Sequence, residues 1–418
     1  MDINNYNRGT IALQKGNYEK ALQFYKREKN SFKELHLNLA NTYRMLGHKD
    51  KAWEQYIKAN DPEVLDLDNI GGEYPDALGN MGLLAYEYGD DLLASSLYVR
   101  ALTIDPLHHM SIWNNSLALL RGWCSGGALH QHAWKMHSYR FKAVKPISSV
   151  DKIWTGEPVD KLVVLAEQGI GDRLMYGRYL SLIDCSEIWV QCDASMDCFF
   201  SDYKICRTVE ESGCTVGVPI GNLAEIFGVV KGEWLPRHKA WNSRMTVAVE
   251  WAGSPTHKND ANRSCYSGYF ARLAKKFPNI RFINVRPNTE KVKGIEKVGG
   301  TWSESSLIIG GCDLVISVDT SLVHLAGSMG VECWMMQPTR DTDFRWGNPR
   351  TKEENSMGVE DNIWYSSVKV LENPGWEKMF AEIERRLSLK LRAWDALNML
   401  GGRTVEEFVK DVECSRSL

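Results

Sequence analysis

The sequence predicts an α + α/β protein in which helical hairpin repeats precede two lobes, each built on a parallel sheet. The chain has 418 residues, enough for two or three cores of ordinary size. Its first third repeats a helix-turn-helix pattern, and after residue 145 short β-branched runs alternate with helix-length segments. No run of about 18 uncharged apolar residues interrupts either pattern, so a membrane span is not expected.

The repeats are three segments that share one plan: YNRGTIALQKGNYEKALQFYKRE, LANTYRMLGHKDKAWEQYIKA and LGNMGLLAYEYGDDLLASSLYVRALTIDP. In each, a helix leads to a turn at Gly16, Gly47 or Gly89 and then to a second helix with small residues. They resemble tetratricopeptide repeats, which stack because one hairpin cannot bury its apolar face alone. We expect a partial fourth unit over residues 111–141. A generic helical bundle is the alternative.

The remainder reads as strands alternating with helices. The strand candidates are KLVVLAE, EIWVQCD, MTVAVEWA, IRFINVRP, DLVISVD and VECWMMQP. This alternation favours parallel sheets with right-handed crossovers, here two Rossmann-like lobes facing a cleft. We therefore predict four parts, bounded as follows: tetratricopeptide-like repeats at 1–145, an N-terminal, acceptor-side lobe at 146–240, a C-terminal, donor-binding lobe at 241–390 and a helical tail at 391–418.

Composition narrows the function classes. The N-terminus lacks the basic start and apolar run of a signal peptide, so a cytoplasmic location is expected. The ten cysteines form no Cys-x-x-Cys pair, which favours reduced core thiols and no structural zinc. Residues 231–297 hold 14 Lys and Arg against 5 Asp and Glu, a local +9 in a chain of net −3. This segment suits an anionic ligand, although a solvated lysine face would look similar.

The first motif, VVLAEQGIGDRLMYGRYL, runs from a strand into a helix. Gly169 and Gly171 permit a tight turn and close approach to a ligand, and the helix start offers N–H groups to it. Gln168 and Asp172 lie where a strand ends at the cleft, the position at which open α/β lobes bind ligands. A plain connection with Asp172 as a helix cap is the alternative.

The second motif, WAGSPTHKNDANRS, is a loop rich in hydrogen-bond donors between a strand and a helix. Its candidate donor-binding residues are His257, Lys258, Asn259, Arg263 and Ser264. Arg gives a diphosphate a planar two-pronged contact and Lys gives a point charge, so a diphosphate is the expected ligand. An exposed polar loop is the alternative.

The third motif, DLVISVDTSLVHLAGSMG, carries a strand into a helix at Asp319, Thr320 and Ser321. Hydroxyl and N–H groups at a helix start suit phosphate oxygens, and the carboxylate suits sugar hydroxyls. His324 follows Thr320 by one helical turn and so lies on the same face. A histidine packed between helix and sheet is the alternative.

These motifs, in this order and behind the repeats, resemble the tetratricopeptide-containing branch of the heptosyltransferase-like (family 9) glycosyltransferases. AWKMHSYRF and IWTGEP are also similar to that family. The resemblance implies a GT-B fold, a nucleotide-sugar donor held mainly by the C-terminal lobe, inversion at the anomeric carbon and no catalytic metal. It implies that Asp172 is the general base and that Arg263 contacts donor phosphate. It places Asp319, Thr320, Ser321 and His324 in the donor-binding turn and helix, and Arg345 in a donor-binding Asp-x-Arg-Trp element.

The expected function is transfer of a sugar from a nucleotide-sugar donor to an acceptor hydroxyl by metal-independent inverting displacement, without a cofactor. The acceptor is left open between a protein, a glycan or lipid precursor and a hydroxylated nucleic-acid base. The repeats are expected to present it or to recruit a protein partner. Two alternatives stay open: a non-catalytic tetratricopeptide scaffold with an inactive GT-B module, and a nucleotide-sugar epimerase or hydrolase. Arg173 after the Gly-Asp pair departs from the family pattern, which leaves donor and acceptor identity unsettled.

Overall fold

The computed structural model describes these residues: 4–61, 74–122, 132–138, 150–166, 169–238, 244–257, 259–286, 290–338, 342–347, 362–372 and 375–399. The chain forms two compact units. The first comprises Met1–Ser149, Ala224–Gly228 and Arg340–Gly358, and the second comprises Val150–Leu223, Val229–Thr339 and Val359–Leu418. The first unit is a set of helical hairpins and the second holds two parallel sheets, so the predicted fold class is confirmed.

The helices of the first unit are α1 (Asn4–Gln14), α2 (Tyr18–Tyr25), α3 (Lys33–Met45), α4 (Lys49–Ala59), α5 (Pro75–Glu87), α6 (Asp91–Ile104), α7 (His109–Gly122) and α8 (residues 132–138). The three hairpin turns contain Gly16, Gly47 and Gly89, with φ of 72°, 79° and 81°. Residues other than glycine rarely adopt this left-handed backbone conformation, because their Cβ atom clashes with the backbone. Glycine therefore allows each first helix to end and the chain to reverse. The glycine spacing visible in the sequence is therefore a backbone requirement.

Within the hairpins, buried tyrosines pack against small residues on the preceding helix. A Cβ atom placed at Gly9 would lie 2.4 Å from the Tyr25 ring, and one at Gly82 would lie 2.6 Å from the Tyr98 ring. The rings of Tyr25 and Tyr98 are both buried. The same interval separates glycine from tyrosine in both hairpins, which identifies them as copies of one packing unit.

A buried ion pair closes the last repeats. The Arg121 side chain has no exposed surface, and its Nη2 lies 2.6 Å from Oδ1 of Asp91 at the start of α6. The same guanidinium donates to the carbonyl of Tyr86 at 2.5 Å and to that of Thr342 at 3.0 Å. Arg121 thereby ties a segment from the second half of the chain into the helical unit.

That segment, residues 342–347, also contributes apolar packing to the first unit. Phe344 lies with its ring centroid 5.9 Å from Trp134 and 5.7 Å from His137, both in α8. Phe344 and Trp346 are buried. The helical unit is thus completed by residues distant in sequence.

The first sheet of the second unit is formed by β1 (Lys152–Ile153), β2 (Val159–Leu165), β3 (Cys185–Gln191), β4 (Lys204–Cys206) and β5 (Val216–Pro219), in the order β1-β5-β2-β3-β4. All pairings are parallel. The helices of this region are α9 (Ile170–Tyr176) and α10 (Val209–Ser212), with 3₁₀ turns at 177–182, 194–199 and 220–222. The next helix, α11 (Leu223–Phe227), belongs to the first unit from Ala224 onward. From β2 the chain first builds outward to β3 and β4 and later adds β5 on the opposite side.

The second sheet is formed by β6 (Thr246–Glu250), β7 (Arg281–Asn284), β8 (Ile295–Lys297), β9 (Leu314–Val318), β10 (Cys333–Met336) and β11 (Val368–Leu371), in the order β11-β10-β9-β6-β7-β8. It too is entirely parallel. Its helices are α12 (Asp260–Arg263), α13 (Gly268–Lys276), α14 (Trp302–Gly310), α15 (Ser321–Ser328) and α16 (Trp376–Met399), with a 3₁₀ turn at 344–346 in the first unit. Counted from β6, the strand order is 3-2-1-4-5-6, that of a dinucleotide-binding fold.

Helix α16 covers the second sheet with Met379, Phe380, Ile383 and Leu387. It is continuous from Trp376 to Met399, so the boundary expected at 390/391 falls inside it. The short helical piece expected after residue 404 lies outside the described residues.

Most described cysteines are buried free thiols, but Cys198 is exposed and so is not the core thiol expected from the sequence. Among the described helices, none has the length and apolarity needed to cross a membrane.

Candidate functional site

The three motifs follow strands at the topological switch point of each sheet, where successive strands stop being added on one side and are added on the other. In the first sheet this switch lies between β2 and β5, and in the second between β6 and β9. The motifs leave the carboxyl ends of β2, β6 and β9. In open parallel sheets, ligands bind in the crevice outside the carboxyl ends of the strands at such a switch point. The strand order alone, without reference to residue types, therefore makes the three motifs candidates for a ligand-binding site.

Asp172 lies in the first turn of α9. The N-cap of this helix is Gly169, which makes no side-chain cap bond, so Asp172 occupies the third helical position. A Cβ atom at Gly169 would lie 3.2 Å from Asp172 Oδ2, which places the carboxylate beside the helix start. A negative charge there is stabilised by the helix dipole. Gln168, also expected here, lies outside the described residues.

The first and third motifs meet at Gly171. A Cβ atom at this position would lie 2.8 Å from His324 Cδ2 and 3.5 Å from the Ser321 Cα. Helices α9 and α15 can approach this closely only because residue 171 has no side chain. The structure thus places the helix start that carries Asp172 against the helix start that carries Ser321.

His324 is buried, with 5% of its surface exposed. Its Nδ1 is 2.9 Å from the hydroxyl of Tyr365, which lies just before β11. Since one ring nitrogen is engaged by this hydroxyl, Tyr365 holds the ring in a fixed orientation. Tyr365 was not predicted from the sequence, because it is 41 residues from its partner and follows no motif.

The start of α15 is capped by Thr320, whose Oγ1 accepts from the N–H of Leu322 at 3.4 Å and pairs with Ser317 Oγ at 3.1 Å. Asp319 immediately precedes it, and its carbonyl accepts from Arg263 Nη1 at 3.1 Å. This bond joins the second motif to the third. The resulting cluster is a helix N-terminus beside an arginine, an arrangement suited to phosphate oxygens.

In the second motif, Arg263 lies directly over Gly253. A Cβ atom there would be 2.3 Å from Arg263 Nη2, so any other residue would displace the guanidinium. Arg263 Nε also pairs with Asp260 Oδ1 at 3.3 Å. Ser264 Oγ accepts from the N–H of Gly253 at 2.9 Å and donates to Asp260 at 3.0 Å. Ser264 therefore holds the loop closed.

The rest of this loop is more open. His257 is exposed, and its Nδ1 accepts from the N–H of Asn259 at 3.2 Å. Lys258 lies outside the described residues. Arg345 belongs to the first unit, whereas the other described candidate residues belong to the second. Its Nη1 donates to both carboxylate oxygens of Asp343, at 2.8 and 2.7 Å.

Two charged residues beside the second motif were missed in the sequence. Glu250 ends β6, and its side chain is 4% exposed. Burial raises the pKa of Glu250 to about 7, although hydrogen bonds from the N–H groups of Ala252 and Trp251 and the charge of Arg286 oppose the rise. Arg286 Nη1 lies 3.8 Å from Glu250 Oε1. The available signal was a carboxylate at the end of an otherwise apolar strand.

A further missed residue is Asn222, at the carboxyl end of β5. It is 2% exposed, and its Oδ1 is buried with no hydrogen-bond partner among the residues that the structure describes. The 3₁₀ turn that carries it, residues 220–222, packs against α9. Buried polar atoms are usually bonded, so this oxygen is a candidate to accept a bond from a ligand. Because β5 has only four residues, its end was not recognised as a site position.

Two further observations bound the site. Within the described ranges, no group of three or more His, Cys, Asp and Glu side chains could hold a metal ion. A cavity of about 420 Å³ lies at the opposite end of α9 from Asp172, lined by the 3₁₀ turn after α9 and by residues 230–236. It includes none of the residues predicted as the site.

No family model matches the chain. No curated protein matches it either. Among solved structures, it is similar to a mutant O-GlcNAc transferase of Thermobaculum terrenum, with 11% identity over 94% of both chains and a TM-score of 0.35. It is also similar to the E. coli heptosyltransferase WaaC with ADP-2-deoxy-2-fluoro heptose, with 10% identity over 55% of this chain and 99% of that one and a TM-score of 0.37. The second TPR domain of human RPAP3 is 21% identical over 27% of this chain and 91% of its own, with a TM-score of 0.23. The chain is thus similar to tetratricopeptide domains and to glycosyltransferases of the heptosyltransferase type.

Proposed function

We propose that this chain is a glycosyltransferase that moves a sugar from a nucleotide-sugar donor to an acceptor hydroxyl. The observation that carries the proposal is the approach of α9 to α15 at Gly171. It brings a carboxylate on one lobe near a phosphate-suited helix start on the other, each at a switch point of its sheet.

The donor's diphosphate is proposed to bind at the start of α15. Thr320, Ser321 and the N–H groups that follow would face its oxygens, with the Arg263 guanidinium beside them. Asp319 would accept from sugar hydroxyls. The remaining proposed donor contacts are Gln168, Gly169, Gly171, His257, Lys258, Asn259, Ser264 and His324.

The proposed reaction is a single inverting displacement. Asp172 takes the proton of the acceptor hydroxyl while the oxygen attacks the anomeric carbon. The bond from that carbon to the diphosphate oxygen breaks, and the diphosphate leaves with the electron pair. Charge on the leaving group is stabilised by Arg263 and the helix start, preorganised before reaction, so this scheme requires neither a divalent ion nor a cofactor.

The test replaces Asp172 with Asn and supplies a panel of nucleotide sugars. Loss of a general base is expected to slow release of nucleoside diphosphate by about 10²- to 10⁴-fold. Donor affinity is expected to change by less than about threefold, since the substitution removes charge but little volume. The matched control is Asp184→Asn, an exposed carboxylate after the same lobe's first 3₁₀ turn. A fully active Asp172→Asn variant would remove Asp172 from the role of base.

The repeats are proposed to bind a protein partner or a protein acceptor. A cavity of about 430 Å³ lies between the second and third hairpins and includes Trp53, Tyr88 and Leu93. Three carboxylates and one ammonium also line it, namely those of Asp50, Glu54, Asp90 and Lys49. A net negative apolar pocket favours a segment with a large apolar side chain flanked by basic residues.

A specific alternative is that the chain binds a partner through the repeats without catalysing transfer. Thermal unfolding separates the two functions. A midpoint that rises with an added nucleotide sugar supports a donor site. No rise with any member of the panel, together with no release of nucleoside diphosphate, supports the scaffold.

A further inference from the structure

The backbone of the turn that follows β6 is fully hydrogen-bonded within the protein. It consists of Trp251, Ala252 and Gly253, and each backbone N–H and C=O of the three residues has a hydrogen-bond partner. Turns at a sheet edge normally leave some of these groups to water. Complete internal satisfaction indicates that the shape of this turn is held by the protein.

Two side chains supply four of the six bonds. Glu250 Oε1 accepts from the N–H groups of Trp251 and Ala252, both at 3.2 Å. Arg286 donates through Nη1 to the carbonyl of Ala252 and through Nη2 to that of Gly253, the latter at 2.7 Å. The turn therefore has an anionic support on its N–H side and a cationic support on its carbonyl side.

The two supports are also coupled to each other. Arg286 Nη1 and Glu250 Oε1 are 3.8 Å apart, and the carboxylate is buried while the arginine side chain is 30% exposed. Within the described part of the chain, the other groups that face Glu250 are the side-chain amide of Asn284 and the Cys265 thiol. Since the surroundings screen the pair weakly, the charge on Glu250 contributes strongly to holding Arg286.

The position of the turn determines the position of Arg263 in the proposed donor site. Gly253 lies beneath the Arg263 guanidinium, where even a Cβ atom would be 2.3 Å from Nη2. Arg263 in turn bonds the carbonyl of Asp319 before α15. A displacement of Gly253 by a few tenths of an ångström must therefore move the arginine proposed to contact phosphate.

We propose that Glu250 and Arg286 are a positioning pair that holds the glycine turn in the shape the donor diphosphate requires, and that they hold it only while Glu250 is ionised. The inference rests on the proposed function and adds a regulation of the same site by pH.

The sign of the effect follows from the buried carboxylate. Burial raises the pKa of Glu250 to about 7, so its charge changes close to neutral pH. Below that pH the carboxyl group is neutral, a weaker acceptor for the two N–H groups and without attraction for Arg286. Affinity for a diphosphate is therefore expected to fall as the solution is made more acidic.

The experiment uses the full chain and measures the affinity of ADP, GDP and UDP by calorimetry at about pH 6 and about pH 8.5, either side of the Glu250 pKa. The variants are Glu250→Gln, Arg286→Met and Arg286→Lys. Glu250→Gln and Arg286→Met are expected to weaken the best nucleotide about tenfold at the higher pH, and Arg286→Lys less. The nucleotide itself titrates near pH 6 to 7, but it does so equally with wild type and Glu250→Gln. A wild-type pH dependence that persists unchanged in Glu250→Gln overturns the proposal.

Arg281→Met is the matched control. Arg281 begins the same strand, β7, whose continuation carries Arg286, and it pairs with the exposed carboxylate of Glu296 at 2.8 Å. Exposed pairs contribute little, so this variant is expected to bind nucleotide within about twofold of wild type. A loss equal to that of Arg286→Met would mean that any charge removed from this strand weakens binding, which would overturn a positioning role.

Amide hydrogen exchange of residues 251–257 in the ligand-free chain keeps this inference separate from the proposed function. After correction for the intrinsic rate, exchange at Trp251 and Ala252 is expected to rise about tenfold in Glu250→Gln, and in wild type at the lower pH. If no nucleotide binds wild type, the proposed function fails whatever the exchange shows. If nucleotide binds but neither exchange nor affinity responds to Glu250→Gln, only the positioning pair is overturned.

Discussion

Replacing Gly171 with Ala adds one methyl group where α9 meets α15. Its carbon would lie 2.8 Å from His324 Cδ2, whereas carbon atoms in contact normally lie about 3.5 to 4.0 Å apart. The His324 ring has little room to retreat, because it is buried and bonded to the Tyr365 hydroxyl. The two helices must therefore separate by several tenths of an ångström.

The magnitude has two parts. Forcing a methyl group into a packed contact costs about 1 to 3 kcal/mol. Alanine recovers up to about 1 kcal/mol of helix propensity relative to glycine. The expected net loss in the free energy of unfolding is about 1 to 2 kcal/mol, and a misplacement of this size is expected to slow transfer by about 10- to 100-fold.

Denaturant unfolding of the Gly171→Ala variant, with rates of nucleoside diphosphate release, measures both effects. The matched control is Gly268→Ala, at the first position of α13, where the added carbon would lie 2.2 Å from a Tyr266 ring that is 75% exposed and free to rotate outward. This control should unfold within about 0.5 kcal/mol of wild type. His324→Ala should rescue Gly171→Ala, giving a coupling energy of about 1 kcal/mol or more. A stable Gly171→Ala variant with no coupling to His324 would refute the proposed close approach.

Three further predictions concern other contacts. Arg121→Met leaves the Asp91 carboxylate buried without its charged partner and should lower the free energy of unfolding by about 3 to 5 kcal/mol, with partial recovery in Asp91→Asn/Arg121→Met; denaturant unfolding tests this, and no recovery would count against the ion pair as the cause. The pKa of Glu250 is raised from 4.5 to about 7 in the folded state, so between these pH values the native state keeps a proton that the unfolded state releases. The free energy of unfolding should therefore fall by about 3 kcal/mol between pH 4.5 and 7. Glu250→Gln should flatten this part of the stability profile, and an unchanged slope would contradict the prediction. Tyr365→Phe removes the hydroxyl bonded to His324 and should cost about 1 to 3 kcal/mol and shift the pH profile of transfer; a variant identical to wild type in both measurements would show that this hydroxyl does not orient the ring.

The second of these predictions gives Glu250 a distinctive behaviour. Ionising this residue is unfavourable for the fold as a whole, because the carboxylate loses its water. The same charge strengthens the bonds that hold the turn before Arg263. Global stability and nucleotide affinity are therefore expected to change in opposite directions as the pH rises through about 7.

The elements that could be predicted from the sequence are those with a long local pattern. The six strand candidates all form, since each concentrates β-branched, aromatic or other apolar residues in a short run flanked by helix-length segments. The strands that were missed are β1, β4, β5, β8 and β11, with two to four residues each. In strands this short the neighbours' hydrogen bonds, and not local propensity, decide the conformation.

The same distinction applies to the site. The strand-to-helix turns that carry Asp172 and Asp319 are local features and were recognisable. Tyr365 acts on a residue 41 positions away, and Glu250 is unusual only because the fold buries it. Such residues become visible when tertiary contacts are known, because burial changes their chemistry without changing the sequence around them.

Arg121 is a clear case of a long-range contact hidden in a local pattern. In the sequence it reads as an ordinary charge near the end of a helix, yet it is fully buried. Its partner carbonyl at Thr342 is 221 residues later. Nothing within one helical turn of Arg121 could have indicated that partner.

This contact also determines when the nascent chain can complete the helical unit during translation. At about 5 to 20 residues per second, a ribosome that has just completed α7 needs roughly 10 to 40 s more to synthesise Thr342. Throughout that interval the repeats, although made first, lack the segment that covers Trp134 and His137 and receives a bond from Arg121. The helical unit at the start of the chain can therefore complete its folding only after most of the protein has left the ribosome.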